Sequence, residues 1–142
     1  MSSGVFNTGR KWLSDKALKN LYSGSTLSLG LYNNAIGSLT HRNVLADIVP
    51  ITGTGYAALS IAANDWTVSI VQAADPLDDA VWWTIADTYF TASAANWSAV
   101  RGAYLFDASN NIALAWRDAP IEVLMPQGMK TLVDFLSEIS AG

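Results

Sequence analysis

The stretch VRGAYLFDASNNIALAW, residues 100–116, decides how the chain is read. Two apolar runs flank Ala108-Ser109-Asn110, a cluster of small and polar residues that marks a turn. Val100–Asp107 and Asn111–Arg117 are therefore expected to form a β-hairpin. On the outgoing strand Ile112, Leu114 and Trp116 alternate with Ala113 and Ala115. A period of two places the three large residues on one face.

Toward the N-terminus the same period recurs. In Thr26–Tyr32 Leu27, Leu29 and Leu31 point one way, and Asn33-Asn34 ends the strand. Residues 35–55 read as a long connection with Pro50 and the turn-like run TGTG (52–55). Tyr56–Ala62 and Trp66–Gln72 both alternate, and Asn64-Asp65 joins them as an expected second hairpin. Residues 80–91, AVWWTIADTYFT, form one longer or two short strands between the loops AADPLDD (73–79) and SAAN (93–96). The apolar sides of these runs predict a core of Leu27, Leu29, Leu31, Leu59, Ile61, Val68, Ile70, Leu114 and Trp116.

Toward the C-terminus IEVLM (121–125) reads as a short strand and Pro126-Gln127-Gly128 as a turn. The last segment, MKTLVDFLSEIS (129–140), fits two patterns. Leu132, Phe135, Leu136 and Ile139 have helical spacing, and Thr131, Val133, Phe135 and Ile139 also fit a strand. The pattern alone favours the helix.

The N-terminus departs from this rhythm. Residues 1–12 read as an extended arm, and 13–142 as a single domain whose helix spans about 14–23. Ser14 serves as its N-cap and Asp15 sits in the first turn, where the helix dipole favours an anion. Leu13 and Leu18 form a hydrophobic staple, and Ala17, Leu18, Leu21 and Tyr22 share one face. Many short strands after one small helix predict a mainly β fold: an antiparallel β-sandwich or jelly-roll-like domain with one short N-terminal helix. At 142 residues and 15.2 kDa the chain suits one domain.

Composition narrows the chemistry. Hydrophobic residues make up 51% and charged residues 14%, against the usual ~25% charged. A surface so poor in charge suits a protein covered by neighbours. No Cys is present, which excludes disulfides, thiol nucleophiles and Cys-based zinc sites. His41 is the only His, and no G-x-S-x-G elbow accompanies it. Asp75, Asp78 and Asp79 lie close together but lack the spacing of a calcium loop. Neither a catalytic centre nor a cofactor or metal is expected. A pI near 4.6 argues against nucleic acid as partner. The chain shows no secretory h-region and no run of 18 apolar residues, so neither a signal peptide nor a membrane partner is expected; it reads as soluble and made in a reducing cytosol, a signature that export by host-cell lysis would share.

Charge is unevenly placed. Residues 1–46 carry five basic residues against Asp15 alone, whereas 47–142 carry three basic residues against eleven acids. A basic head and an acidic body are complementary between copies of the chain. Trp82 and Trp83 are adjacent, so in a strand they point to opposite faces. An outward Trp can anchor a subunit interface, stack on a sugar ring, or lie under another part of the same chain.

The order of elements resembles a family of small structural proteins of tailed bacteriophages, the head decoration (cement) or tail-fibre-like proteins. The likeness covers most of residues 13–140 on loose structural motifs. They are the strand and Asn turn at Leu27–Asn34, the strand start Gly55-Tyr56-Ala57, the strand end Phe90-Thr91, Trp97 shortly after it, the hairpin 100–116, and a closing Pro120–Ile139. Met129-Lys130 departs from the pattern, which usually has an acidic residue after the turn Gly. The resemblance implies a β-sandwich in which 129–139 is a strand, not a helix. It also implies a non-enzymatic virion protein, assembled in the host cytoplasm, that stabilises a capsid lattice. Its partners would be the major capsid protein or another virion protein and further copies of itself, as a homo-oligomer and most simply a trimer. The alternative is a tail-fibre or tail-tip protein whose sheet face binds a carbohydrate receptor. Val5, Phe6, Arg10, Lys11 and Trp12 of the arm, with Trp82 and Trp83, are the expected interface residues.

Overall fold

The computed structural model describes residues 3–19, 25–61, 66–71, 80–85, 88–133 and 136–140, with side chains for 3–16, 25–61, 88–131 and 133. Among these residues it is mainly β, with every strand pair antiparallel and one α-helix. A five-stranded sheet runs in the order β1 (Ser3–Val5), β8 (Ile112–Met125), β7 (Trp97–Asp107), β2 (Leu27–Tyr32), β3 (Leu59–Ile61). A three-stranded sheet runs β10 (Leu136–Ser140), β5 (Ala80–Ile85), β4 (Trp66–Val71), and β6 (Thr88–Thr91) pairs with β9 (Lys130–Val133).

The five-stranded sheet is covered on both faces, in a sandwich-like arrangement. On the inner face Leu29, Leu31, Leu105 and Ala115 pack with Phe90 of β6, and Val133 of β9 leans on the same cluster. On the other face Tyr32, Tyr104 and Trp116 pack with Leu39 and Ile48 of the long connection and with Phe6. The alternating leucines of β2 are on the inner face as expected, although Leu27 is only partly buried. Their neighbours Gly30 and Tyr32 point to the second core, so this strand is buried on both sides.

Trp116 is not on the face of Leu114. The β7–β8 ladder pairs Leu105 with Ala115 but Phe106 with Ala113, leaving Leu114 as an extra residue in a β-bulge. Leu114 and Ala115 therefore both join the inner cluster, and Trp116 joins the outer one with Ala113. The bulge is where the N-terminal segment docks. Leu114 O accepts from Phe6 N–H at 2.8 Å, and Ala113 O accepts from the Thr8 hydroxyl at 2.7 Å. Chain packing thus overrides strict alternation at this point.

The helix, α1 (Asn7–Lys19), starts seven residues before the expected cap, so Ser14 is an exposed mid-helix residue. The arm is likewise not a free extended segment. Its first strand, β1, pairs with β8 in the register Ser3–Arg117, Gly4–Trp116 and Val5–Ala115. Gly9 lets the helix backbone rest on β8, since a Cβ there would lie 2.3 Å from Leu114 O. One turn later Trp12 enters the inner core, and its indole N–H donates to buried Asp107 at 3.0 Å. The rest of the expected apolar face, Ala17 to Tyr22, lies outside the described side chains.

Three further expectations change. Tyr56–Ala62 and Trp66–Gln72 do not form a hairpin: β3 pairs with β2 and β4 with β5, in different sheets. Alternation marks a half-buried strand but not its partner. Leu59 is on the sheet edge and 37% exposed, so it is not core; the side chains of Val68 and Ile70 lie outside the described residues. Residues 121–125 do not form a separate strand but continue β8. The helix favoured by spacing at 129–140 is two strands, β9 and β10, in keeping with the strand that the resemblance implies. The turn at 126–128 is present, closed by Met129 N–H donating to Pro126 O, with Gly128 at φ 90°.

Two buried acids tie the periphery to the sheet. Asp118 accepts from the Tyr32 hydroxyl at 2.5 Å and from Gly37 N–H at 2.8 Å, fastening the start of the long connection. Burial and the adjoining Asp118 push the Tyr32 hydroxyl far above the usual phenol range. Asp107 accepts from Trp12, from Asn110 N–H and from the Asn110 amide. Burial pushes its carboxyl up, but these donors and Ser25 outweigh it and hold the group below its ordinary value.

Candidate interaction surface

The distal half of the β7–β8 ribbon is irregular. Trp97 pairs with Met125 and Val100 with Val123, so Ser98 and Ala99 together oppose the single Leu124. The next pair is Gly102 with Asp118, which leaves Ala119–Glu122 facing Arg101 alone. Extra residues push a strand out of the plane and re-aim its side chains. Here they turn apolar groups outward: Ile121 is 72% exposed and Leu124 68%. Val123 and Met125 keep to the core side, so the register itself places Leu124 on the outer face.

This surface is braced by one cation. Arg101 Nη1 donates to Asn33 O at 3.0 Å, and its Nη2 donates to Glu122 at 3.1 Å. The guanidinium thus ties the end of β2 to the displaced part of β8. Beside the Asn33 end, Asn33 N–H donates to Val49 O, and Val49 is 55% exposed. The ion pair is exposed and contributes little stability. Its consequence is geometric, because it fixes the end of β2 against the part of β8 that carries the exposed Ile121 and Leu124. Exposed apolar groups of this size beside a braced backbone suit contact with another protein.

A second apolar spot lies on the β6–β9 ribbon. Tyr89 is 52% exposed, with Lys130 Nζ 4.1 Å above its ring centroid, and Met129 is 40% exposed. Among the described side chains Tyr89 is the one exposed aromatic.

The expected interface residues divide. Val5, Phe6 and Trp12 are 2%, 0% and 4% exposed, so they fill this chain's own cores and are not presented to a neighbour. Arg10 and Lys11 are exposed; Lys11 pairs with Asp15 at 2.5 Å along the helix. Trp82 and Trp83 occupy the central strand of the three-stranded sheet, in register with Ser69 and Glu138 and with Val68 and Ser137; their side chains lie outside the described residues. His41 is an exposed loop residue whose carbonyl accepts from Asn7 N–H. Asp75, Asp78 and Asp79 lie outside the described residues, and no group of three His, Asp or Glu gathers among those described.

Sequence reasoning missed Val49, Ile121 and Leu124. One signal was present: in IEVLM, Leu124 shares the polar face of Glu122 on a half-buried strand. Ile121 carried no such signal, because its exposure comes from the bulge. No protein-family model, no curated protein and no solved structure matches the chain.

Proposed function

We propose that the chain is a non-enzymatic structural protein of a tailed-phage particle, a cement or decoration protein that binds the capsid lattice as a homo-oligomer. The observation that carries the binding part is the outward turn of Ile121 and Leu124 on a chain with 14% charged residues. Apolar groups held out by an irregular strand gain about 25 cal/mol for each Å² that a partner covers. The particle setting is supported by the resemblance of residues 13–140 in the order of their elements.

The carbohydrate-binding alternative needs an exposed aromatic platform on a sheet face. In the five-stranded sheet Tyr32, Tyr104 and Trp116 are buried beneath the long connection. Among the described side chains only the single ring of Tyr89 is exposed, so the apolar pair Ile121 and Leu124 supports the lattice reading more directly than any ring supports sugar binding.

The test is to locate the protein in a particle map and to measure particle occupancy of the double variant Ile121→Glu, Leu124→Glu. Two charges on an exposed face leave the fold intact and abolish lattice binding. Full occupancy of the variant, or absence of the protein from purified particles, overturns the proposal.

A further inference from the structure

Where β8 leaves its register after Asp118, the inner face of the sheet is left hollow. Ala103 on β7 and Ala119 on β8 have short side chains that do not fill it. The result is a pocket of about 280 Å³ between the β7–β8 ribbon and β9. Leu31, Val100, Val123 and Val133 wall it. It is about twice the ~150 Å³ of a dry cavity that accommodates benzene.

The polar side chains around it are few: Arg117, Thr131 and Asp118. Arg117 pairs with Ala103 across the ladder, which places its side chain on the inner face. Arg117 is half-buried, and its guanidinium has no hydrogen-bond or ion-pair partner among the described residues. Thr131 stands opposite, on β9. Asp118 adjoins the pocket, but its carboxylate accepts from Tyr32 and Gly37 on the other face, and no other acid lines the pocket among the described residues. Lys130, the nearest cation in sequence on β9, is placed over Tyr89.

We propose that this pocket binds a small amphiphilic carboxylate of the fatty-acid class, its head on Arg117 and Thr131 and its tail against the valines. A guanidinium matches the two oxygens of a carboxylate with parallel donors. One positive charge balances one negative charge, which favours a monoanion over a phosphate. Apolar walls with one convergent polar group are the usual form of such a site. The proposal does not rest on the lattice reading, since neither Ile121 nor Leu124 lines the pocket.

The experiment is a titration of the ¹⁵N-labelled full chain with octanoate, with octan-1-ol and acetate as comparators. Octanoate is expected to bind saturably, shifting amides of residues 100–103, 117–119, 121–123 and 131–133, and acetate to bind far more weakly. Arg117→Gln is expected to weaken octanoate by about ten- to hundredfold, the loss of one charge-assisted contact, and to leave octanol unchanged. Val123→Phe, which fills the pocket while its spectrum reports folding, is expected to weaken both. Non-saturable shifts, shifts confined to other residues, or equal octanoate binding by Arg117→Gln each overturn the proposal.

Discussion

Tyr104 lies across Gly30, the residue directly opposed to it on β2: a Cβ on Gly30 would come within 2.7 Å of the ring. The relationship is repeated twice on the same face. Tyr32 covers its opposed Gly102, and Trp116 covers its opposed Gly4. An aromatic ring over a cross-strand glycine shields backbone that glycine leaves bare and fixes the register. Two of the pairs join β2 to β7 and the third joins β1 to β8, and Tyr104 is itself opposed to Trp116, so the rings form one layer beneath the long connection.

Substitution of these glycines by Ala is expected to destabilise in an order set by what the new methyl meets. At Gly30 it meets only the Tyr104 ring, which can tilt. At Gly102 it meets the Tyr32 ring at 2.1 Å and Arg117 O at 2.5 Å, and the carbonyl cannot yield. Overpacking costs about 1–3 kcal/mol, so Gly102→Ala belongs at the upper end and Gly30→Ala at the lower. Denaturant titration of both variants measures the order.

Asp118 makes the long connection part of the sheet. Tyr32→Phe removes a donor from a buried carboxylate and is expected to cost about 1–3 kcal/mol. Asp118→Ala also releases Gly37 N–H, so hydrogen exchange at Gly37 should accelerate more than exchange within β2. Equal acceleration at both places would show that the carboxylate does not hold the loop.

Asp107 predicts a pH dependence. Its carboxyl is held below the ordinary value, so the folded state binds its proton more weakly than the unfolded chain does. The stabilisation is complete above the ordinary carboxylate pKa of about 4 and is lost as pH falls through the lower folded value. Asp107→Asn is expected to flatten the loss of stability below about pH 4 and to lower stability at pH 7. Thermal melts of both proteins between pH 2 and pH 7 measure the difference.

Legibility in the sequence followed the range of the interaction. The hairpin at Val100–Trp116 and the strand Leu27–Tyr32 were readable because turn residues and alternation are local. The face of Trp116 was not, because the bulge at Leu114 exists to meet Phe6 and Thr8, about a hundred residues away in sequence. Ser14-Asp15 imitates a helix start inside a helix. Its true beginning is set by contacts of Asn7 and Thr8 with residues 41 and 113. Composition placed Val5, Phe6 and Trp12 as apolar groups needing cover, but it cannot distinguish the chain's own core from a neighbour's. For the interaction surface, only Leu124 was signalled, since Ile121 depends on long-range register.

Gly9→Ala sets two effects of opposite sign against each other. In an exposed helix interior Ala is better than Gly by about 1 kcal/mol. Here the added methyl would lie 2.3 Å from Leu114 O and 2.7 Å from Leu114 Cα, both backbone atoms. The clash is expected to win, undocking α1 and exposing Trp12. Lower stability with a red-shifted tryptophan emission is the expected result; a stabilised protein would show that the helix does not rest on β8.

Deleting residues 1–12 tests the place of the N-terminal segment most directly. Were the arm an anchor for a neighbouring copy, the remainder would fold and fail only to assemble. The contacts favour a different outcome. The deletion removes β1 from β8, Val5 and Trp12 from the inner core and Phe6 from the outer one. Truncating a single buried Phe or Trp to Ala costs about 3–5 kcal/mol. Loss of both, with the donors to Leu114 O and Asp107, approaches the ~5–15 kcal/mol by which a domain of this kind is stable. The truncated chain is therefore expected to be largely unfolded at 25 °C, and a synthetic peptide of residues 1–19 added in trans should restore part of its structure. Circular dichroism with and without the peptide decides the matter: a cooperatively melting truncated domain that ignores the peptide would return the arm to the role of an intermolecular anchor.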